Sequence, residues 1–247
     1  MSYIAKKGQE AADAATAEKV DYSKVLKSFS SGKSYTVKIV PDNFVMYFAH
    51  SVYKVFYTTP CTKAAGVPDL YDKAVDVLYK EAEAMEKAGA SEDEVKAKKD
   101  EAYSLKAKER YLIGFIGLDD GEPVPYIIDL TKKQAKQIIT SIKKNATKAD
   151  KFAFTIGKEG SGQGTTVSLD IIVDDEDMTP QAKKNFDLAV EKGISFDEEL
   201  FEKVLSVASE DQQIEDLTKF GFDVSRIGIG VEEGEGSSEE KDPNLGF

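Results

Sequence analysis

The sequence predicts an α+β fold: a small antiparallel sheet curled into a barrel, an inserted helical hairpin, C-terminal helices and a disordered acidic tail. Three observations carry this. Four short strand-patterned runs, residues 111–118, 124–130, 151–157 and 165–173, follow one another, with a lysine-rich helical stretch between the second and third. An aromatic, alternating segment at 34–59 precedes them and supplies the strands a barrel still needs. Between the two, residues 66–108 switch to a 3.6-residue period. The expected organisation is an arm at 1–33, a core at 34–178 with the helical insertion at 66–108, packed helices at 179–222 and a tail at 223–247.

Composition bounds the chemistry. The 247 residues are enough to bury a sizeable core, and 32% of them are charged, which implies well-solvated helices. With one cysteine, Cys61, no intrachain disulfide forms. One cysteine and one histidine, His50, cannot build a structural zinc site, so no metal and no cofactor are expected. Cys61 lies in a Pro-Cys-Thr context without a nucleophile elbow and reads as a partly buried thiol. No apolar run approaches a membrane span and the first residues lack a signal-peptide core, so a cytoplasmic setting is expected. The net charge of −12 is unevenly spread. Residues 1–158 carry 26 Lys+Arg against 22 Asp+Glu, and residues 159–247 carry 7 against 23. A weakly basic body with an acidic end is the asymmetry of an interaction tail.

Taken in order, residues 6–20 are Ala/Lys/Glu/Asp-rich, and Val25, Leu26 and Phe29 share one face of a short basic helix ended by Gly32. Tyr35, Val37 and Ile39 alternate with Thr36 and Lys38 in a strand, and Pro41-Asp42-Asn43 reads as a turn. Residues 44–59 hold six aromatic rings, more than one face of a small core needs, so some must meet solvent or a ligand. Pro68 sits at the expected start of the first inserted helix, and Ser91 with Glu94 is a capping box for the second. The acids Asp119, Asp120 and Glu122 surround Gly121 as a hairpin turn. Thr131 caps a helix whose surface carries Lys132, Lys133, Lys136, Lys143 and Lys144. The glycine-rich loop 158–164 joins two strands, not a strand and a helix, so it is a flexible hairpin tip and not a phosphate cradle. Thr179 and Pro180 open a helix to Gly193, and further helices are expected at 195–207 and 212–220.

Rings interleaved with lysines predict a wet, positively charged, ring-bearing sheet face. That is the chemistry of a groove for single-stranded nucleic acid. The stacking candidates are Tyr53, Tyr57, Tyr111, Phe115, Phe152 and Phe154. The phosphate candidates are Lys38, Lys54, Lys106, Lys108, Arg110, Lys132, Lys136 and Lys151. Strand alternation allows only one face of each strand to serve, so part of this set is expected to fall away.

The order of these segments resembles the single-stranded DNA-binding, helix-destabilising proteins of tailed phages, of the T-even type. The likeness spans roughly residues 20–220 and rests on several stretches: Tyr53-Lys54-Val55-Phe56-Tyr57-Thr58-Thr59 before a helical excursion, Lys106-Ala107-Lys108-Glu109-Arg110-Tyr111 entering a strand, a Val-Pro-Tyr-Ile strand before a lysine-rich helix, and a Phe-x-Phe strand. The resemblance implies an OB-fold core and sequence-nonspecific protection of single-stranded DNA in phage replication, recombination or repair, in the host cell cytoplasm. It also implies replication or recombination partners reached through the tail, here Glu239, Glu240, Asp242, Leu245 and Phe247, and self-association along DNA. The tail would occupy the groove when DNA is absent. T-even members carry a zinc subdomain; this chain lacks its ligand set, and the helical hairpin is expected in its place. A protein–protein adaptor using the aromatic sheet face is the alternative reading. A metal-dependent nuclease built on Asp119, Asp120 and Asp170 is a third.

Overall fold

In a computed structural model the protein is described over residues 22–230. The residues form two compact units. One joins the chain up to Phe48 with Glu109–Ser206, and the other joins Ala49–Lys108 with the chain from Val207. The fold is α+β, with a six-stranded antiparallel sheet and several helices. The strands are β1 (Ser34–Val52), β2 (Phe56–Pro60), β3 (Lys108–Gly117), β4 (Val124–Thr131), β5 (Phe154–Glu159) and β6 (Thr166–Ile171). Their order is β4-β3-β1-β5-β6, with β2 paired to the end of β1.

The expected barrel is corrected: the sheet does not close, because β4 and β6 do not pair. Helix α4 (Lys132–Asn145), which connects β4 towards β5, packs on both β4 and β6 instead. Its Ala135, Ile138 and Ile142 share a core with Val37, Ile39, Ile113, Phe115, Phe154 and Ile156. Each fully buried isoleucine there contributes about 1.5–3 kcal/mol. A helix stripe thus closes the apolar interior that a sixth ladder would otherwise have sealed.

The opposite face of β3 and β4 is also dry. Leu112, Ile116 and Ile127 pack with residues of α5 (Pro180–Glu191) and α6 (Leu200–Lys203), among them Phe186, Leu200 and Phe201. Burial on both faces explains the unbroken apolar run from Leu112 to Leu118. It also overturns the wet, ring-bearing face expected of these strands. At Gly117 an added Cβ would lie within the Tyr126 ring, so the strand pair needs glycine there.

Local signals decide most boundaries. Thr179 caps α5 with Pro180 at its first position, and Thr131 forms a capping box with Gln134 at α4. Several boundaries differ from expectation. The strand β1 runs straight through Pro41, and Asp42 takes φ 59° within it, so the proline and the left-handed residue mark an irregularity in a strand, not a turn. Helix α1 (Tyr22–Val25) stops at Val25 because Leu26 forms a parallel bridge to Ile127 and Lys27 N–H donates to the Ile127 carbonyl at 2.9 Å. Within 195–207 only Leu200–Lys203 is helical; the rest is held by burying Phe196 and Val204.

The second unit is built on a helical hairpin, α2 (Leu70–Lys87) and α3 (Glu92–Leu105). The helix begins at Leu70 and not at Pro68, because Asp69 is the cap that accepts from Asp72 N–H. The capping box of Ser91 with Glu94 forms as the sequence indicates. Helix α7 (Glu210–Phe220) belongs to this unit and not to the core as expected. Gln213 accepts from Leu70 N–H at 2.8 Å, Tyr71 donates to Asp216 at 2.8 Å, and Leu217 and Phe222 join the core around Tyr71 and Leu78. Among the described residues no helix is long and apolar enough to cross a membrane.

Candidate nucleic-acid interface

Strand β2 returns against the last residues of β1, with Ala49 opposite Pro60 and Val52 opposite Phe56. A tight turn joins them: Val55 N–H donates to the Val52 carbonyl at 3.0 Å, and Lys54 takes φ 64°. Strand alternation then separates two neighbouring rings. Phe56 turns inward and stacks on Tyr71, while Tyr57 turns outward and is 97% exposed. Tyr53 is 87% exposed, with the Lys54 ammonium 5.3 Å from its ring centre. Residues 51–58 line a groove of about 550 Å³. In the same unit Tyr103 is 59% exposed with Lys108 5.1 Å from its ring, and Lys106 is exposed. Tyr103 was missed by sequence reasoning; its position on the polar face of a sparsely apolar helix was the available signal.

The first unit presents a separate cationic surface. Lys132, Lys133, Lys136, Lys143 and Lys144 of α4 are exposed, as is Lys151. Lys132 pairs with Glu109 at 2.9 Å, and Lys143 lies 5.8 Å from the Phe44 ring centre.

Other predicted residues serve the fold instead. Phe115 and Phe154 are 0% exposed, so neither offers a ring face to a base. Tyr111 and Phe152 are half-buried against the same core, and Tyr111 donates to Glu109. Lys38 is 8% exposed and paired with Asp150 at 2.8 Å. Arg110 bridges both oxygens of Asp129 at 2.9 and 3.1 Å, and Tyr47 donates to the same carboxylate at 3.1 Å. Burial alone would lower the Arg110 pKa, but Asp129 more than offsets this and holds it up. Of the nuclease acids, Asp120 accepts from Tyr126 and Lys27, and Asp119 accepts from Thr36 N–H, as turn acids do. The tail residues Glu239, Glu240, Asp242, Leu245 and Phe247 lie outside the described residues.

A second grouping in the helical unit was not anticipated. His50 is 0% exposed, its Nδ1 is 2.9 Å from the Leu105 carbonyl, and its Nε2 makes no hydrogen bond. That Nε2 lies 3.4 Å from Asp69 and 3.9 Å from Asp72. Cys61 Sγ donates to Asp72 at 3.6 Å. Donor atoms of His50, Cys61 and Asp72 all fall within 4.8 Å of one another. Burial pushes the Cys61 thiol up to about 11, with the Asp69 and Asp72 charges adding to the rise. A count of one thiol and one imidazole does not show this grouping; the Asp72 carboxylate joins it only in the fold.

Comparison of the chain with protein-family models, with curated proteins and with solved structures yields no match.

Proposed function

We propose that the protein binds single-stranded nucleic acid, in the first place DNA, without sequence preference. The observation that carries this is the hairpin of β1 and β2: two tyrosine rings, 87% and 97% exposed, flank a lysine on one tight turn. Such rings add nothing to the core, and every base has a face to stack on them. Stacking is worth about 1–3 kcal/mol per base, and lysines near the rings neutralise phosphates.

The strand order supports an OB-like reading. An OB-fold is a partly open, five-stranded Greek-key barrel that binds oligonucleotides with the face of its second and third strands and with the loops after its first and fourth. In the first unit the core strands in chain order are β1, β3, β4, β5 and β6, with α4 between the third and fourth. The β4–β6 seam is open. By that count the excursion 49–108 is the loop after the first strand. It starts with the Tyr53/Tyr57 hairpin and ends with Lys106 and Lys108. The glycine-rich loop 160–165 is the loop after the fourth strand. Since α5 and α6 cover the outer face of β3 and β4, the Tyr53/Tyr57 hairpin carries more of the ligand than the sheet face does.

A fluorescently labelled dT oligonucleotide titrated at several salt concentrations tests this reading. The expected result is binding that weakens steeply with salt and that Tyr53→Ala with Tyr57→Ala weakens further. Salt-independent or absent binding would leave the adaptor reading, which exposed Val45, Met46 and Phe48 on β1 favour.

A further inference from the structure

We propose that the lysine face of α4 is a second nucleic-acid site, which holds the phosphate backbone of a duplex as well as that of a single strand and does not use the tyrosine hairpin. This rests on the reading that the ligand is a nucleic acid and adds the double-stranded form to it.

The charge on this helix is one-signed and one-sided. From Leu130 to Ala149 the chain holds six lysines and no acid, in a protein of net charge −12. At about 100° per residue, Lys132, Lys133, Lys136, Lys143 and Lys144 fall within an arc of roughly 120°. The buried stripe of Ala135, Ile138 and Ile142 lies on the opposite side and fixes that arc towards solvent. All five lysines are exposed. Lys132 is held by Glu109 at the start of the helix, but among the described residues no acid pairs with Lys133, Lys136 or Lys144. The next acid along the chain, Asp150, is taken up by Lys38 at 2.8 Å. Like charges on neighbouring turns repel one another, so the face gains most from a polyanion that meets several of them at once.

The rings near this face give a base nothing to stack on. Phe44 is half-buried, with the Lys143 ammonium 5.8 Å from its ring centre, and Tyr111 and Phe152 are half-buried against the core that α4 covers. The face therefore meets phosphates alone, and phosphate contacts carry no sequence information. It is also held rigid by the helix. From Lys132 to Lys144 it spans about 18 Å, the length of about five base pairs at about 3.4 Å each. A duplex presents its phosphates in a fixed row and at higher charge density than a single strand. Each lysine that meets it releases more condensed counterion, about 0.9 against about 0.7 per phosphate. The stacking hairpin has the reverse preference, because paired bases hide the faces that Tyr53 and Tyr57 would meet.

The experiment uses the full chain and a labelled blunt-ended DNA duplex, followed by fluorescence anisotropy at several salt concentrations beside the dT oligonucleotide. Lys133→Ala with Lys136→Ala and Lys144→Ala is expected to weaken duplex binding at least about tenfold at low salt and to lower the salt slope by about 0.9 for each lysine in contact. These positions are exposed and alanine favours a helix, so the variant keeps its fold. Tyr53→Ala with Tyr57→Ala should leave duplex binding within about twofold while weakening dT binding. A control variant, Lys87→Ala with Lys184→Ala and Lys192→Ala, removes the same charge from other exposed positions and should bind the duplex as the parent does. Equal losses in the two lysine variants, or equal losses of duplex and dT binding in the tyrosine variant, would overturn the proposal. Binding of dT with no binding of the duplex would overturn it too and leave the single-strand reading standing.

Discussion

Tyr71 stacks on Phe56 with ring centres 5.0 Å apart and planes 14° from parallel. Tyr71 is fully buried and anchored by Asp216, so the inward side of the β2 hairpin is fixed from beneath. Neighbouring residues therefore divide two tasks. Phe56→Ala is expected to cost about 3–5 kcal/mol of stability, measured by urea unfolding. Tyr57→Ala should leave stability within about 0.5 kcal/mol and weaken dT oligonucleotide binding by about 1–3 kcal/mol. Equal stability losses in the two variants would contradict this division.

The lysines of α4 and the buried lysine of β1 should separate in the salt dependence of binding. Replacing exposed Lys136 by alanine is expected to reduce the slope of log affinity against log salt by about 0.7, the value for one phosphate on a single strand. Lys38→Met should leave the slope unchanged, because Lys38 is already committed to Asp150. Its effect belongs in the urea midpoint.

The His50–Asp69 pair predicts an opposite pH response on its two sides. Burial raises the Asp69 pKa, but His50 and the Thr62 and Asp72 N–H groups outweigh it and hold the carboxyl well below its usual range. Its contribution is therefore present above the unfolded value and lost as pH falls through the lower folded one. Burial lowers the His50 pKa, but Asp69, the Leu105 carbonyl and Asp72 outweigh it, and the net shift is upward. That contribution is complete below the unfolded value near 6.5 and fades as pH rises through the folded one. Asp69→Asn should thus be most destabilising between these limits, by about 1–3 kcal/mol, and least at either extreme of a pH series of urea melts. A difference from the parent protein that stays constant with pH would refute the pairing.

Gly117→Ala should destabilise the first unit by about 1–3 kcal/mol, since a methyl group there meets the Tyr126 ring. Gly121→Ala, in the turn where a Cβ meets nothing within 4 Å, is the control and should change the melting temperature little.

Much of the fold is legible in the chain where a local rule acts alone. The box of Ser91 with Glu94, the Thr179-Pro180 start and the isoleucine stripe of α4 each follow from short-range chemistry. Legibility ends where tertiary contacts choose. Phe115 and Phe154 read as ring platforms because strand alternation states that a face exists but not which one faces α4. Leu112 and Ile116 required the distant α5 and α6 to be dry. The exposed pair Tyr53 and Tyr57 was readable because the segment holds more rings than one core face takes up. The His50 group was not, since Asp72 is an ordinary helix-start acid until the fold brings it to Cys61.

The placement of α7 in the second unit has a consequence for the chain beyond Gly230. Those last 17 residues hold six acids and one lysine. They are tethered to the unit that carries Tyr53, Tyr57, Lys106 and Lys108. Fully extended they reach at most about 60 Å, and on so short a tether two groups that can meet do so at millimolar effective concentration. On the proposal that the tail competes for those lysines, an acidic peptide of the same sequence added in solution is expected to need roughly that concentration to match the attached one.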